Sequence, residues 1–182
     1  VHIGSQITSH IPYKNMLDTI NKIIQQSKYK FKYIDLGGGM GIQYENNSRK
    51  LNYLKYNKLI KSFLKKNNSK IIFEPGRSII GNTGILISKI IYVKEGYKKD
   101  FIILDAAMND LMRPALYNAK HKIMPSQKRR FPSKKTYEFV GPICESTDKF
   151  ATTKIFQKLK EKEFIILCDV GAYGTSLSSN YN

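Results

Sequence analysis

A chain of 182 residues is long enough for a domain with a real core, and 31 Lys and Arg against 14 Asp and Glu give it a formal charge of +17. That charge invites a nucleic-acid role, but the lysines lie on every segment, no DNA- or RNA-binding motif is present, and abundant Ile, Asn and Tyr accompany them, which is the pattern of AT-rich codons. Cys144 and Cys168 are too few for a disulfide framework and fit a reducing cytosol, and no apolar run approaches the roughly 20 residues of a membrane span. No signal peptide is visible. The chain starts at Val1 without an initiator Met and stops inside Ser-Asn-Tyr-Asn, so it is expected to be an internal piece of a longer protein.

In chain order, His2-Ile3-Gly4-Ser5 reads as the end of a strand. Residues 12–28 place Met16, Leu17, Ile20, Ile23 and Ile24 at helical spacing. Phe31 to Leu36 is a short apolar run, a buried strand closed by Gly37-Gly38-Gly39, with a helix expected after it. Residues 53–66 put Tyr56, Leu59, Ile60, Phe63 and Leu64 on one helical face. Lys70 to Phe73 is a further strand, ending at Glu74-Pro75-Gly76-Arg77. Each of the three strands ends in a polar or glycine-rich motif, as at the C-terminal face of a β/α barrel. After about Gly84 the character changes. The runs Ile85 to Val93, Phe101 to Leu104, Thr136 to Val140 and Phe164 to Cys168 are β-type, and polar or glycine-bearing loops separate them. Residues 120–135 carry Lys120, Lys122, Lys128, Arg129, Arg130, Lys134 and Lys135 and read as a solvated loop. The expected class is α/β: the C-terminal part of a (β/α)8 barrel over 1–83, then part of a mostly β second domain over 84–182.

Several of these residues have chemistry in reach. Gly37-Gly38-Gly39 offers backbone amides to a phosphate, or simply makes a tight turn. Arg77 can pair with a phosphate or a carboxylate, and Glu74 can face a heterocyclic nitrogen; taken alone, the motif reads first as a surface ion pair. A lone Cys such as Cys144 is ordinarily a small buried hydrophobe. Cys168 reads as a strand core residue. Tyr173 in Gly-Ala-Tyr-Gly is either a ligand contact or a core Tyr beside a turn. No metal site is assigned.

Taken together, His2-Ile3-Gly4-Ser5-Gln6, the glycine triplet, Glu74-Pro75-Gly76-Arg77, Met108 to Tyr117 (Met-Asn-Asp-Leu-Met-Arg-Pro-Ala-Leu-Tyr), Gly141-Pro142-Ile143-Cys144-Glu145-Ser146 and Gly171-Ala172-Tyr173-Gly174 resemble the diaminopimelate decarboxylases. That family belongs to the barrel enzymes that use pyridoxal phosphate, alanine racemase and ornithine decarboxylase among them. The resemblance runs from His2 to Asn182. It implies a cofactor cradle of Gly37, Gly38, Gly39, Pro75, Gly76 and Arg77 with Ser5 assisting. It puts Glu74 on the pyridine nitrogen, His2 on the ring face and Tyr173 at the cofactor phosphate. It places Arg113 and Tyr117 on a substrate carboxylate, with Arg77 and Tyr173 also at the substrate. Glu145 would take the distal ammonium, and Cys144 would return the proton after CO2 departs. Ornithine-type enzymes carry Cys-Asp where this chain has Cys144-Glu145, so the longer acid points to diaminopimelate.

The resemblance further implies a homodimer in which Cys144 and Glu145 serve the neighbouring barrel, a cytoplasmic enzyme of lysine biosynthesis, and no nucleic-acid or membrane partner. Two departures stand out. Ala106 replaces a frequent Gly, and the segment carrying the family's cofactor-linking Lys is not present, so no Lys here takes that role. Other readings are a decarboxylase for ornithine or arginine, a non-catalytic cofactor-binding relative, and a basic nucleic-acid-binding domain. With open strand edges, the isolated 182 residues are expected to be insoluble.

Overall fold

The structure is a computed structural model that describes residues 1–45, 48–129 and 132–182. It divides into two compact units, Val1–Ile80 and Gly81–Asn182.

In the first unit, helix α1 spans Ile11–Ser27, with Pro12 in its first turn, where a missing N–H costs nothing, and a left-handed Lys28 ending it. It buries Tyr13, Met16, Leu17 and Ile20, a stripe at 3, 4 and 7 residues. Ile23, expected on that stripe, is 52% exposed because it falls past the stripe's edge. Strand β1 is Tyr33–Asp35 and strand β2 is Lys70–Ile72, paired in parallel. Helix α2, Tyr53–Lys66, connects them; the Asn52 side chain caps it by accepting from Lys55 N at 2.9 Å. Tyr56, Ile60 and Phe63 face the core shared with α1, and Tyr13 and Tyr56 stack with centroids 4.6 Å apart. Helix α3, Arg77–Ile80, follows.

Two expectations are corrected here. Residues 2–5 are not a strand: Gly4 (φ 120°) and Gln6 (φ 58°) break the extended chain, leaving one parallel bridge, Ile7 to Met40. The glycine triplet does not open a helix either, since α2 begins only at Tyr53.

The second unit is a six-stranded sheet in the order β5-β8-β3-β4-β6-β7. Its strands are β3 Ile85–Lys94, β4 Lys99–Leu104, β5 Ile123–Pro125, β6 Thr136–Val140, β7 Lys149–Thr153 and β8 Phe164–Cys168. Alternate residues of β4 and β8 turn inward, so Ile102, Leu104, Ile165 and Leu167 meet Ile90 and Phe139 in the core. β3 and β4 form an antiparallel hairpin with a bulge between Ile90 and Tyr92. β4 and β6 are parallel, which demands a long crossover. That crossover holds helix α4, Arg113–Tyr117, and β5.

Residues 120–135 are thus not a plain solvated loop. β5 pairs with β8, Arg129 bonds Glu163, and Lys135 reaches Asp100 at 3.0 Å; Arg130 lies outside the described residues. β7 was not legible in the sequence either, for only Phe150 marks it as buried. Among the described residues no helix is long and apolar enough to cross a membrane.

Candidate active site

The candidate residues form two groups, one in each unit. In the first, three strand-like segments run side by side. Val1 N donates to Asp35 O, Leu36 N to Ile72 O, and Glu74 N to Gly37 O, so β1 lies between residues 1–7 and β2. The glycine triplet follows β1 and Glu74 to Arg77 follow β2, while His2 and Ser5 lie within residues 1–7.

The reason for three glycines is visible. A Cβ on Gly37 would overlap the Val1 carbonyl, one on Gly38 the Glu74 carbonyl, and one on Gly39 the Gly4 carbonyl. Gly37 and Gly39 also need positive φ, 67° and 78°. Tyr13, wholly buried, donates its hydroxyl to Gly38 O at 3.2 Å and steadies the turn. The tight-turn reading of the triplet is thus the one with contacts behind it. Close packing forces glycine here, setting Gly38 against Glu74–Pro75 and Gly39 against Gly4 and Ile7.

Beside these turns, Arg77 Nη1 donates to Tyr44 Oη at 2.6 Å, with its guanidinium 5.8 Å from that ring's centroid. Tyr44 carried no sequence signal. Glycine-bearing turns and an Arg that directly follows one of them, at Gly76-Arg77, are residue types able to hold a phosphate. Glu74, His2, Ser5 and Gly76 are all exposed.

In the second unit, residues 141–148 connect β6 to β7 and present Cys144 and Glu145, both exposed. Asp148 organises this loop from beneath. It is 3% exposed, its Oδ2 accepts from Ile143 N and its Oδ1 from Met108 N, at 2.8 and 2.7 Å. Gly141 N donates to the Asp148 carbonyl, and a Cβ on Gly141 would overlap the Asp148 carboxylate. Burial pushes the Asp148 carboxyl above its ordinary value; Asp110 adds to that, while the two backbone donors oppose it. Through Asp148 the Cys144–Glu145 loop is joined to the segment leading into Arg113.

Arg113 opens α4 and is buried, 5% exposed. Its Nη1 lies 3.0 Å from His121 Nε2, and His121 Nδ1 lies 3.0 Å from the Cys168 carbonyl. A carbonyl only accepts, so Nδ1 carries the hydrogen and Nε2 accepts from the guanidinium; this tautomer makes His121 a neutral strut. Tyr117, on the last turn of α4, is exposed. Tyr173 is exposed beyond β8, held at φ 62°. Cys168 is half-buried at the end of β8, and burial raises its thiol.

Asp148 and His121 escaped sequence reading. Neither has a local signal; the partners of Asp148 come from Met108 as well as its own loop, and His121 looks like any lone histidine. Among the described residues no group of His, Cys, Asp or Glu could hold a metal ion.

Comparison with known proteins gives this arrangement a family. Residues 13–171 match the model of the pyridoxal-dependent decarboxylase C-terminal sheet domain. The whole chain aligns with diaminopimelate decarboxylases of Aquifex aeolicus at 40% identity and Zymomonas mobilis at 41%, spanning 44% of the length of each. A diaminopimelate decarboxylase structure from M. jannaschii in co-complex with L-lysine superposes with a TM-score of 0.92 at 30% identity, over 100% of this chain and 43% of that one. The chain belongs to the pyridoxal-dependent decarboxylase family.

Proposed function

We propose that the whole protein decarboxylates meso-2,6-diaminopimelate to L-lysine and CO2 with pyridoxal phosphate as cofactor. The observation that carries this reading is the exposed Cys144–Glu145 pair on a loop pinned by buried Asp148. A structural cysteine would sit in the core; here the strand residues fill the core and the thiol is left outside it. The identity to two diaminopimelate decarboxylases along the full chain supports the substrate.

Bound pyridoxal phosphate supplies an electron sink for the bond that loses CO2. Gly37, Gly38, Gly39, Pro75, Gly76, Arg77 and Ser5 hold its phosphate, with Tyr173 reaching the same group. Glu74 carries the charge that keeps the pyridine nitrogen protonated, and His2 covers the ring. Arg113 and Tyr117 hold the distal carboxylate of the substrate. Arg113 suits this because its fork matches a carboxylate and its neutral partner His121 leaves its charge intact. Glu145 binds the distal ammonium. Cys144 Sγ holds the proton that replaces the lost carboxylate. Arg77 and Tyr173 also border the substrate. We assign Cys144 and Glu145 to the partner's site in a homodimer. The cytosol is the proposed compartment, and two free thiols fit it.

The test is CO2 release by the full-length protein, supplied with pyridoxal phosphate, from meso-diaminopimelate and from ornithine in parallel. Release from diaminopimelate alone is the expected result. Release from ornithine instead would keep the cofactor and discard the roles given to Glu145 and Arg113. Release from neither, with the cofactor's absorbance band present, would point to another substrate or a non-catalytic relative.

A further inference from the structure

The Glu145 carboxylate has a partner outside its own loop. Its Oε1 accepts a 2.7 Å hydrogen bond from the hydroxyl of Tyr181, 36 residues along the chain. Tyr181 is tied down in turn. Its carbonyl accepts from Asn109 Nδ2 at 3.1 Å, and Ser179 N donates to the Asn109 carbonyl at 3.0 Å. Asn109 stands next to Met108, whose N–H is held by Asp148. Residues 107–110, 141–148 and 178–182 are therefore laced together at the one place where the Cys144–Glu145 pair is presented.

An exposed glutamate on a loop samples several rotamers, and binding a ligand through it means giving that freedom up. A fixed donor on one carboxylate oxygen selects a rotamer beforehand and leaves the second oxygen for a ligand. We propose that Tyr181 is a positioning residue for substrate recognition, holding Glu145 ready for the distal ammonium of a diamino acid. The inference rests on the reading of Glu145 as the ammonium-binding residue. A phenol suits the task. The nearby carboxylate, with Cys144 acting in the same direction, raises the Tyr181 hydroxyl above its ordinary value, so it stays a donor.

The test uses full-length protein loaded with pyridoxal phosphate: wild type, Tyr181→Phe, Glu145→Gln and the double variant. KM and kcat for meso-diaminopimelate are measured, together with the substrate concentration that half-shifts the cofactor's absorbance band. Tyr181→Phe, which keeps the ring, should raise KM about five- to tenfold and leave kcat within about twofold, the signature of lost binding preorganisation. Glu145→Gln should raise KM further, and the double variant should match Glu145→Gln, since a residue acting through Glu145 then has nothing to act on. An unchanged KM in Tyr181→Phe while Glu145→Gln raises it, or additive effects in the double variant, overturns the positioning role and leaves the reading of Glu145 standing. An unchanged KM in Glu145→Gln removes that reading and this inference with it.

Discussion

Cys144 and Glu145 are adjacent in the chain and exposed, yet their backbone is fixed by groups that are not. Asp148 takes the Ile143 and Met108 amides, so the loop cannot drift without orphaning a buried carboxylate. Arg113 is treated in the same way, held by His121 and through it by the Cys168 carbonyl. The side chains proposed to meet ligands are thus supported by side chains to which no such role is assigned. At Cys144 the proposal is sharp. Cys144→Ala in the full-length protein should lower kcat for diaminopimelate by about 10²-fold or more while leaving KM nearly unchanged, because the thiol handles a proton rather than binding energy. Steady-state kinetics decide it, and a KM rise with kcat intact would return the thiol to a packing role.

At the scale of elements, the turn after β1 leaves no room for a side chain at Gly38. Gly38 adopts no positive φ, so its constraint is purely steric: the Glu74 carbonyl occupies the space a Cβ needs. Gly38→Ala should cost about 3 kcal/mol or more, because backbone rather than a movable side chain must give way. The urea midpoint of the full-length protein measures it.

In the second unit, Glu138 on β6 sits between Lys99 on β4 and Lys149 on β7. Burial alone would raise the Glu138 carboxyl, but the two lysines win and hold it below its ordinary value of 4.5. A carboxylate lowered in the folded state contributes stability above 4.5 and loses it as pH falls through the lower folded value. Glu138→Gln should therefore cost about 1–2 kcal/mol at neutral pH, a figure kept small by the exposure of both lysine heads, and nothing once the wild-type carboxyl is protonated. Denaturant midpoints at neutral pH and at successively lower pH below 4.5 would expose a constant difference if the ion pairs were irrelevant.

For the molecule as a whole, the proposed homodimer makes a quantitative prediction. Arg77→Ala and Cys144→Ala should each be nearly inactive. Mixed and allowed to exchange subunits, they should recover about a quarter of wild-type activity. Half the dimers are then mixed, and each mixed dimer has one site with both residues intact. No recovery, with exchange verified by mass, would place Cys144 in its own chain's site.

The isolated 182 residues carry apolar surface that a free domain would hide. Ile72, Phe73, Ile79 and Ile80 are at least 40% exposed, as are Ile85, Ile87, Ile91 and Tyr92 on β3. β2 pairs only with β1 among the described residues, leaving one edge open. Expressed alone, this piece should aggregate; size-exclusion chromatography gives the answer, and a monomer with a cooperative melt would refute it.

Periodicity in the sequence was enough to locate α1, α2 and the apolar strands β3, β6 and β8, because each depends on neighbours three, four or two residues away. The glycine triplet and the Cys144–Glu145 pair stand out through the resemblance of their motifs to the diaminopimelate decarboxylases, not through periodicity. It could not separate Ile23 from the buried stripe of α1, nor find β5 and β7, whose three and five residues owe their strand pairing to partners far along the chain. Asp148 with Met108, His121 with Cys168 and Tyr181 with Glu145 meet across 40, 47 and 36 residues. Contacts at that separation leave no local pattern. Whether Asp148 is a solvated loop acid or the buried anchor of the Cys144–Glu145 loop depends on what folds over it, and only the tertiary structure supplies that.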